Sequence, residues 1–141
     1  MNTSSPFEWL IDIEAVRRFP QRYARAVDQR DHDALSALFD PDGTIDGSFG
    51  VESVPDYLEG MRTRLGTTGT SMHLLGDPLV DVAPGADTAH LDAYAVVYQF
   101  PEGGDPFTLG MRYLDDLVRR PGETGGDWRI HHRKTERIWM R

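Results

Sequence analysis

The sequence predicts an α+β domain in which a cone-shaped, curved antiparallel sheet wraps around N-terminal helices. Two observations carry this prediction. Apolar residues recur at helical spacing in the first part of the chain, whereas apolar and polar residues alternate with period two after Gly69. The alternating segments are separated by short breaks rich in proline and glycine, as in an antiparallel meander. Helices first and strands second is the order of an α+β fold, here expected as an α+β barrel.

Local signals set the expected boundaries of the elements. Pro20 should split the first amphipathic segment near Phe19, Asp31 and Ser53 are expected N-caps, and Gly66 should end the last helix. The predicted helical segments are 7–30, 32–39 and 53–65, with a turn at 40–43 and a short strand at 44–49. The predicted long strands are 71–82, 88–100, 108–120 and 128–139.

Length, charge and composition restrict the classes of function. The chain has 141 residues, a net charge of −8, no cysteine and a single lysine, Lys134. One domain is expected over residues 8–141, preceded by a loose segment over 1–7. The acidic charge argues against nucleic acid, and the lack of cysteine excludes disulfides and a thiol nucleophile. No apolar stretch reaches membrane-spanning length, so we expect a cytoplasmic protein, and we expect it to hold no metal and no cofactor.

The functional prediction depends on His73, which lies in a short apolar stretch expected to be a strand. The amphipathic segment upstream of it carries Tyr23 and Asp28. An imidazole that donates its Nδ1 proton to a carboxylate keeps Nε2 free as a base near neutral pH. Other interpretations stay open at this point: His73 and Tyr23 could be core residues, and Asp28 could pair with Arg25 on an exposed helix face.

The sheet offers a second set of polar side chains. Tyr94 and Tyr98 share a face by period two, and such an aromatic face would suit a flat, partly apolar ligand. Arg112 could bind a carboxylate or phenolate of a substrate. Ordinary packing of the tyrosines, and an ion pair of Arg112 with Asp116 or Glu136, are the alternatives.

Several short strings along the chain resemble the SnoaL-like branch of the nuclear-transport-factor-two-like superfamily. These strings are Arg22-Tyr23-Ala24, Asp28-Gln29-Arg30-Asp31, Leu38-Phe39-Asp40-Pro41-Asp42-Gly43, Met72-His73-Leu74-Leu75-Gly76, Gly110-Met111-Arg112-Tyr113-Leu114-Asp115 and Asp127-Trp128-Arg129-Ile130-His131-His132-Arg133. The resemblance covers residues 8–139. It implies a cone-shaped fold with one deep pocket, and a homodimer or homotrimer that pairs through the outer face of the sheet.

The resemblance also implies roles for individual residues. In its scytalone dehydratase and bile-acid dehydratase-like branch, an aspartate on the first long helix and a histidine on the following strand match Asp28 and His73. A tyrosine of the bile-acid dehydratase matches Tyr23. His73 would then act as general base and acid, Asp28 would orient it, and Tyr23 would donate a hydrogen bond to a substrate carbonyl. The expected substrate-binding residues are Tyr98, Arg112, Tyr94 and Arg133.

We therefore expect a small cofactor-independent lyase or dehydratase that acts on a hydrophobic cyclic or polyketide-like carbonyl compound. An isomerase or cyclase that uses the same dyad of His73 and Asp28 is one alternative, and a non-catalytic small-molecule-binding or assembly domain is another. Tyr23 and Asp28 lie roughly 140° apart around an ideal helix, so the helix must be kinked or wrapped by the sheet for both to reach one pocket. A separation of His73 and Asp28 above ~4 Å, or a His73 sealed from any cavity, would favour the non-catalytic alternative.

Overall fold

The computed structural model describes residues 4–67, 69–120 and 127–141. The helices are α1 Pro6–Arg17, α2 Phe19–Asp28, α3 His32–Ser36 and α4 Val54–Thr67. The strands are β1 Phe39–Gly47, β2 Gly50–Ser53, β3 Thr70–Leu75, β4 Leu79–Asp81, β5 Thr88–Phe100, β6 Phe107–Arg119 and β7 Trp128–Met140. Helices set against one curved sheet confirm the predicted α+β class.

The described strands form one sheet in the order β2-β1-β7-β6-β5-β3, and β4 also pairs with β5. The sheet is curved but unclosed, so it is a cone open at one side and not a complete barrel. It is also mixed, because β1 runs parallel to β7. The prediction of a wholly antiparallel sheet is wrong at this pair. A tight hairpin enforces antiparallel pairing only between strands that are neighbours in sequence, and β1 and β7 are not.

The N-terminal helices begin and end on local signals. Ser5 and Glu8 form a capping box, in which the Ser5 hydroxyl accepts from the Glu8 amide at 3.2 Å and the Glu8 carboxylate accepts from the Ser5 amide at 2.7 Å. Helix α1 therefore begins at Pro6, inside the segment 1–7 that the sequence suggested was loose. The predicted break near Phe19 is confirmed, since α2 begins there with Pro20 in its first turn.

Two predicted boundaries are wrong for reasons of backbone geometry. Residues 40–43, expected as a turn, belong to β1, where the pairing with β7 shifts register. Gly43 lies at this irregularity, and a Cβ there would come within 2.2 Å of the His131 carbonyl oxygen. The expected strand 71–82 is two strands, because Gly76 and Pro78 interrupt it between β3 and β4.

The shorter helices agree more closely with the sequence. Asp31 and Ser53 accept hydrogen bonds from amides three residues onward, at 3.0 and 3.2 Å, as predicted for N-caps. Helix α3 ends at Ser36, before the predicted boundary, and α4 continues past Gly66 to Thr67. The predicted break at 121–126 lies outside the described residues.

An ion pair lies in the middle of the core. Arg133 of β7 stands opposite Asp115 of β6, and the two residues are 1% and 2% exposed. The guanidinium donates to both carboxylate oxygens at 2.7 and 2.8 Å, and its Cζ lies 4.1 Å from the centre of the Tyr23 ring. Burial opposes the charge on Arg133, but the adjacent Asp115 carboxylate holds the pKa of Arg133 above its ordinary value. Arg133 is therefore charged inside the protein.

We expect Asp115→Asn to lower the free energy of unfolding by about 3–5 kcal/mol, because it leaves the Arg133 charge buried without its counter-charge. The neighbouring Asp116→Asn is the matched control. The Asp116 side chain is 53% exposed and pairs with His90 at the surface, so its loss should cost less than ~1 kcal/mol. Urea unfolding of both variants measures the difference, and equal effects would contradict a buried Arg133 charge that depends on Asp115.

Candidate active site

His73 and Asp28 meet. Asp28 is the last residue of α2 and His73 lies in β3, and the His73 Nδ1 is 2.7 Å from the Asp28 Oδ1. A carboxylate can only accept, so the Nδ1–H donates. In the neutral imidazole this leaves Nε2 without a proton and available as a base.

The Asp28 carboxylate is held by β3 through both of its oxygens. Besides the bond from His73 Nδ1, its Oδ1 accepts from the Ser71 hydroxyl at 2.7 Å, and its Oδ2 accepts from the His73 backbone amide at 2.9 Å. Ser71 and His73 lie on one face of the strand by period two. Sequence reasoning missed Ser71, although the alternation Ser71-Met72-His73 carried the signal. These bonds fix the carboxylate and, through it, the imidazole.

Tyr23 contacts His73, the other residue of the dyad. Its ring stands edge-on to the imidazole of His73, with centroids 6.1 Å apart and an interplanar angle of 87°. Tyr23 and Asp28 therefore touch one imidazole from two sides: the tyrosine meets the ring face-to-edge and the aspartate bonds Nδ1. Tyr23 and Asp28 can therefore both reach His73 although they lie roughly 140° apart around an ideal helix.

Tyr57 of α4 is a site residue that sequence reasoning missed. Its hydroxyl lies 3.2 Å from the Tyr23 hydroxyl. Burial, together with the neighbouring Tyr23, raises the pKa of Tyr57 well above its ordinary value, so its phenol keeps its proton. The spacing of apolar residues in α4 marks Tyr57 as buried, but it carries no signal for its partner.

Tyr23, Ser71 and His73 line a cavity inside the cone. The cavity has a volume of about 210 Å³, and Tyr23, Ser71, His73 and Tyr113 are among its polar lining. Six apolar side chains from α2, α4 and the inner face of the sheet also line it: Val27, Met61, Leu65, Val97, Leu109 and Met111. Arg30, Arg64 and Gln99 complete its polar lining. His73 is thus a wall residue of a small chamber with both polar and apolar lining.

The dyad also borders a second concavity, on the outside of the molecule. A groove of about 760 Å³ runs between α2 and β3, and both Asp28 and His73 contribute to its wall. The two side chains are 21% and 5% exposed, respectively. The dyad therefore lies in the partition between the inner cavity and the outer groove, and His73 is not sealed from either.

Three of the predicted substrate-binding residues lie on the opposite face of the sheet. His73 pairs with Val97, which is buried on the inner face, whereas Tyr98 pairs with the exposed Met72 and so points outward. Tyr94 follows the same alternation and is also exposed. Tyr94 and Tyr98 therefore share one face, as predicted, but it is the outer face of the sheet and not the face of His73.

Arg112 pairs with Tyr94 in the register and therefore shares that outer face. It donates to both carboxylate oxygens of Asp92, at 2.9 and 2.6 Å, and lies 3.7 Å from Glu136. The hydrogen bonds from Arg112 also hold the pKa of Asp92 below its ordinary value. Arg112 forms ion pairs with Asp92 and Glu136 on the outer face of the sheet and does not line the cavity.

Arg133, the fourth predicted substrate-binding residue, is buried behind the cavity wall. Its guanidinium is bound to Asp115 and packs on the rings of Tyr23 and Tyr113, with Cζ 4.1 and 4.7 Å from their centres. Both tyrosines line the cavity and Arg133 does not. It therefore supports two wall residues and makes no direct approach to a ligand.

The residues that the structure describes contain no cluster of three or more His, Cys, Asp or Glu side chains that could hold a metal ion. Likewise, none of the helices in the described ranges is long and apolar enough to cross a membrane.

The family model of the SnoaL-like domain matches residues 8–134, which is most of the chain. The chain belongs to the SnoaL-like family. No curated protein matches this SnoaL-like chain.

Solved structures resemble it over nearly its whole length. A candidate scytalone dehydratase from Novosphingobium aromaticivorans is 17% identical with a TM-score of 0.83, covering 97% of this chain and 91% of that one. A type 2 hexachlorocyclohexane dehydrochlorinase (LinA) is 14% identical with a TM-score of 0.83, covering 97% and 92%. The type 3 dehydrochlorinase of Novosphingobium barchaimii is 14% identical with a TM-score of 0.80, covering 97% and 93%. At these identities the likeness establishes the fold.

The tautomer of His73 is directly testable. We expect long-range ¹H–¹⁵N spectra, recorded with the His73 imidazole uncharged, to show its proton on Nδ1, because the Asp28 carboxylate can only accept there. His32 is the internal control: its Nε2 lies 2.9 Å from the Leu58 carbonyl oxygen, so it should carry its proton on Nε2. Finding the Nε2–H form at His73 would contradict the dyad geometry.

Proposed function

We propose that this SnoaL-like domain is a small acid–base enzyme of the lyase type, in which His73 is the general base and acid. The observation that carries the proposal is the 2.7 Å contact between His73 Nδ1 and Asp28 Oδ1, at the wall of a cavity. A carboxylate in this position fixes the tautomer and stabilises the imidazolium that forms when Nε2 takes a proton. A positioned group of this kind contributes about 10²–10⁴ to a rate.

The proposed reaction is the elimination of water from a β-hydroxy carbonyl compound. His73 Nε2 removes the proton on the carbon next to the carbonyl, and the electron pair of that C–H bond moves toward the carbonyl oxygen. The C–O bond to the leaving hydroxyl then breaks as the carbonyl reforms, giving a carbon–carbon double bond. The imidazolium returns the proton to the departing hydroxide, so water leaves and His73 is regenerated.

Tyr23 is proposed to stabilise the negative charge that develops on the carbonyl oxygen. Its phenol lies beside His73 and lines the same cavity. The contact with the Tyr57 hydroxyl supports this role, because Tyr57 keeps its proton and can donate to Tyr23 while Tyr23 donates to the substrate. Such donors, aimed at a developing oxyanion, are worth about 10²–10³ in rate.

The cavity limits the size of the proposed substrate. Its volume of about 210 Å³ lies below the ~300–1,000 Å³ of pockets that hold drug-sized ligands. Within the predicted class of hydrophobic cyclic or polyketide-like carbonyl compounds, this volume favours a compound with a single ring over a fused polycyclic one. The apolar part of the wall favours a hydrophobic carbon skeleton.

The fold neighbours give the proposal limited support. Two of them are named dehydrochlorinases and one a candidate dehydratase, and both names describe eliminations. An isomerase or cyclase would use the same dyad without losing water, so product analysis by mass spectrometry separates it from a dehydratase. A non-catalytic binding domain would take up the same ligands without turnover.

A homodimer or homotrimer is part of the proposal. The outer face of the sheet exposes large apolar side chains that a second copy could cover, among them Met72, Tyr94 and Trp139. Large exposed apolar patches mark association surfaces in soluble proteins.

We expect His73→Ala to lower kcat by about 10²–10⁴ on a substrate found by screening monocyclic β-hydroxy ketones. Asp28→Asn should cost up to ~10⁴ because it disturbs the tautomer of His73, and Tyr23→Phe about 10²–10³. Water loss measured by mass spectrometry, together with steady-state kinetics, provides the readout.

His90→Ala is the matched control for the histidine variant, because His90 is an exposed residue of β5 that lines neither the inner cavity nor the groove between α2 and β3. It should retain the kcat of the unmodified protein. Full turnover by His73→Ala or by Asp28→Asn would refute the proposed dyad.

A further inference from the structure

The outer groove between α2 and β3 has two chemically different walls. One wall is a ridge of arginines at helical spacing, Arg18, Arg22 and Arg25, on α2 or directly before it. The opposite side is apolar and comes from Leu74 and Leu75 of β3. At about 760 Å³ the groove is well within the ~300–1,000 Å³ of small-molecule sites, and it is more than three times larger than the inner cavity.

The arginine ridge is only partly neutralised by the protein. Arg18 pairs with Glu14 at 2.9 Å, but within the described ranges neither Arg22 nor Arg25 has an ion-pair partner. Arg22 packs over the Phe19 ring at 5.0 Å, a contact that leaves its N–H groups available. The groove thus holds three arginines and one acidic residue, Asp28, whose carboxylate is bound by Ser71 and His73. In a chain with a net charge of −8, this is a local excess of positive charge.

We propose that this groove is a second ligand site, which binds a small amphiphilic anion, such as an alkyl or aryl carboxylate. The anionic head binds the guanidinium groups of Arg22 and Arg25, and the apolar body lies against Ala24, Leu74 and Leu75. Guanidinium groups bind carboxylates through charge-assisted, often bidentate hydrogen bonds. The apolar wall contributes roughly 25 cal/mol for each Å² of ligand surface that it removes from water.

Both walls are needed for this assignment. Solvated arginines on a helix would need no apolar surface across from them, and an apolar groove alone would not discriminate between charged and neutral ligands. The site shares only His73 with the lining of the inner cavity and lies on the Asp28 side of the dyad, so a ligand bound there does not occupy the cavity of the proposed reaction.

The test is an NMR and calorimetric titration with octanoate, with octanamide as its neutral counterpart, at low ionic strength. We expect octanoate to bind more tightly, by about tenfold or more, and to perturb Ala24 and Leu75. The double variant R22Q/R25Q should remove the preference for octanoate, whereas Leu74→Gln should weaken both ligands. R62Q is the matched control, because Arg62 is an exposed arginine of α4 outside the groove.

Three results would overturn the proposal. One is equal affinity for octanoate and octanamide, or no binding of either. Another is a set of perturbed resonances at Met61 and Met111, which would place octanoate in the inner cavity. The third is a shift in sedimentation caused by R22Q/R25Q with no effect of octanoate, which would assign the arginine ridge to contacts between copies of the chain.

Discussion

The buried pair of Arg133 and Asp115 is the constraint on which the rest of the structure depends. A buried ion pair adds little net stability, since desolvation offsets most of the attraction, but it tolerates very few arrangements. Only the β6–β7 register that sets these two residues opposite each other satisfies both charges. The Arg133 Nη1 makes no hydrogen bond, and the guanidinium instead lies on the rings of Tyr23 and Tyr113, where the cation is attracted to the aromatic faces. The pair thus fixes the sheet and, through Tyr23, the position of α2.

The other end of α2 is fixed by Asp28. Its carboxylate accepts from Ser71 and His73 of β3, so the helix is joined to the core at Tyr23 and to the edge of the sheet at Asp28. His73 lies between these two attachments. Its imidazole is consequently held by a hydrogen bond at Nδ1 and by an aromatic ring at its edge, and neither contact uses Nε2. The same contacts that dock the helix therefore preorganise the nitrogen that the proposed reaction needs.

The sequence predicts the parts of the site that depend on residue type. It does not predict those that depend on strand register or on how deeply a side chain is buried. The α+β class, the break at Pro20 and the pairing candidates Asp28, His73 and Tyr23 follow from local patterns and from the resemblance. The face occupied by Tyr98 does not, because it depends on His73 pairing with Val97, and a slip of one residue would reverse it. The burial of Arg133 does not follow from the sequence either, because a charged residue in an alternating strand is normally exposed and its buried partner lies on a different strand.

The position of the dyad in the partition between cavity and groove separates the Asp28 carboxylate from the site of the proposed reaction. A charged aspartate inside a small apolar cavity would be costly to bury and would repel an enolate. Here Asp28 faces the outer groove, where it is partly exposed, and its effect reaches the cavity only through His73, which is nearly buried. A ligand in the cavity meets an imidazole and not the carboxylate. The proposed base is therefore oriented by a carboxylate that is partly exposed on the far side of the wall.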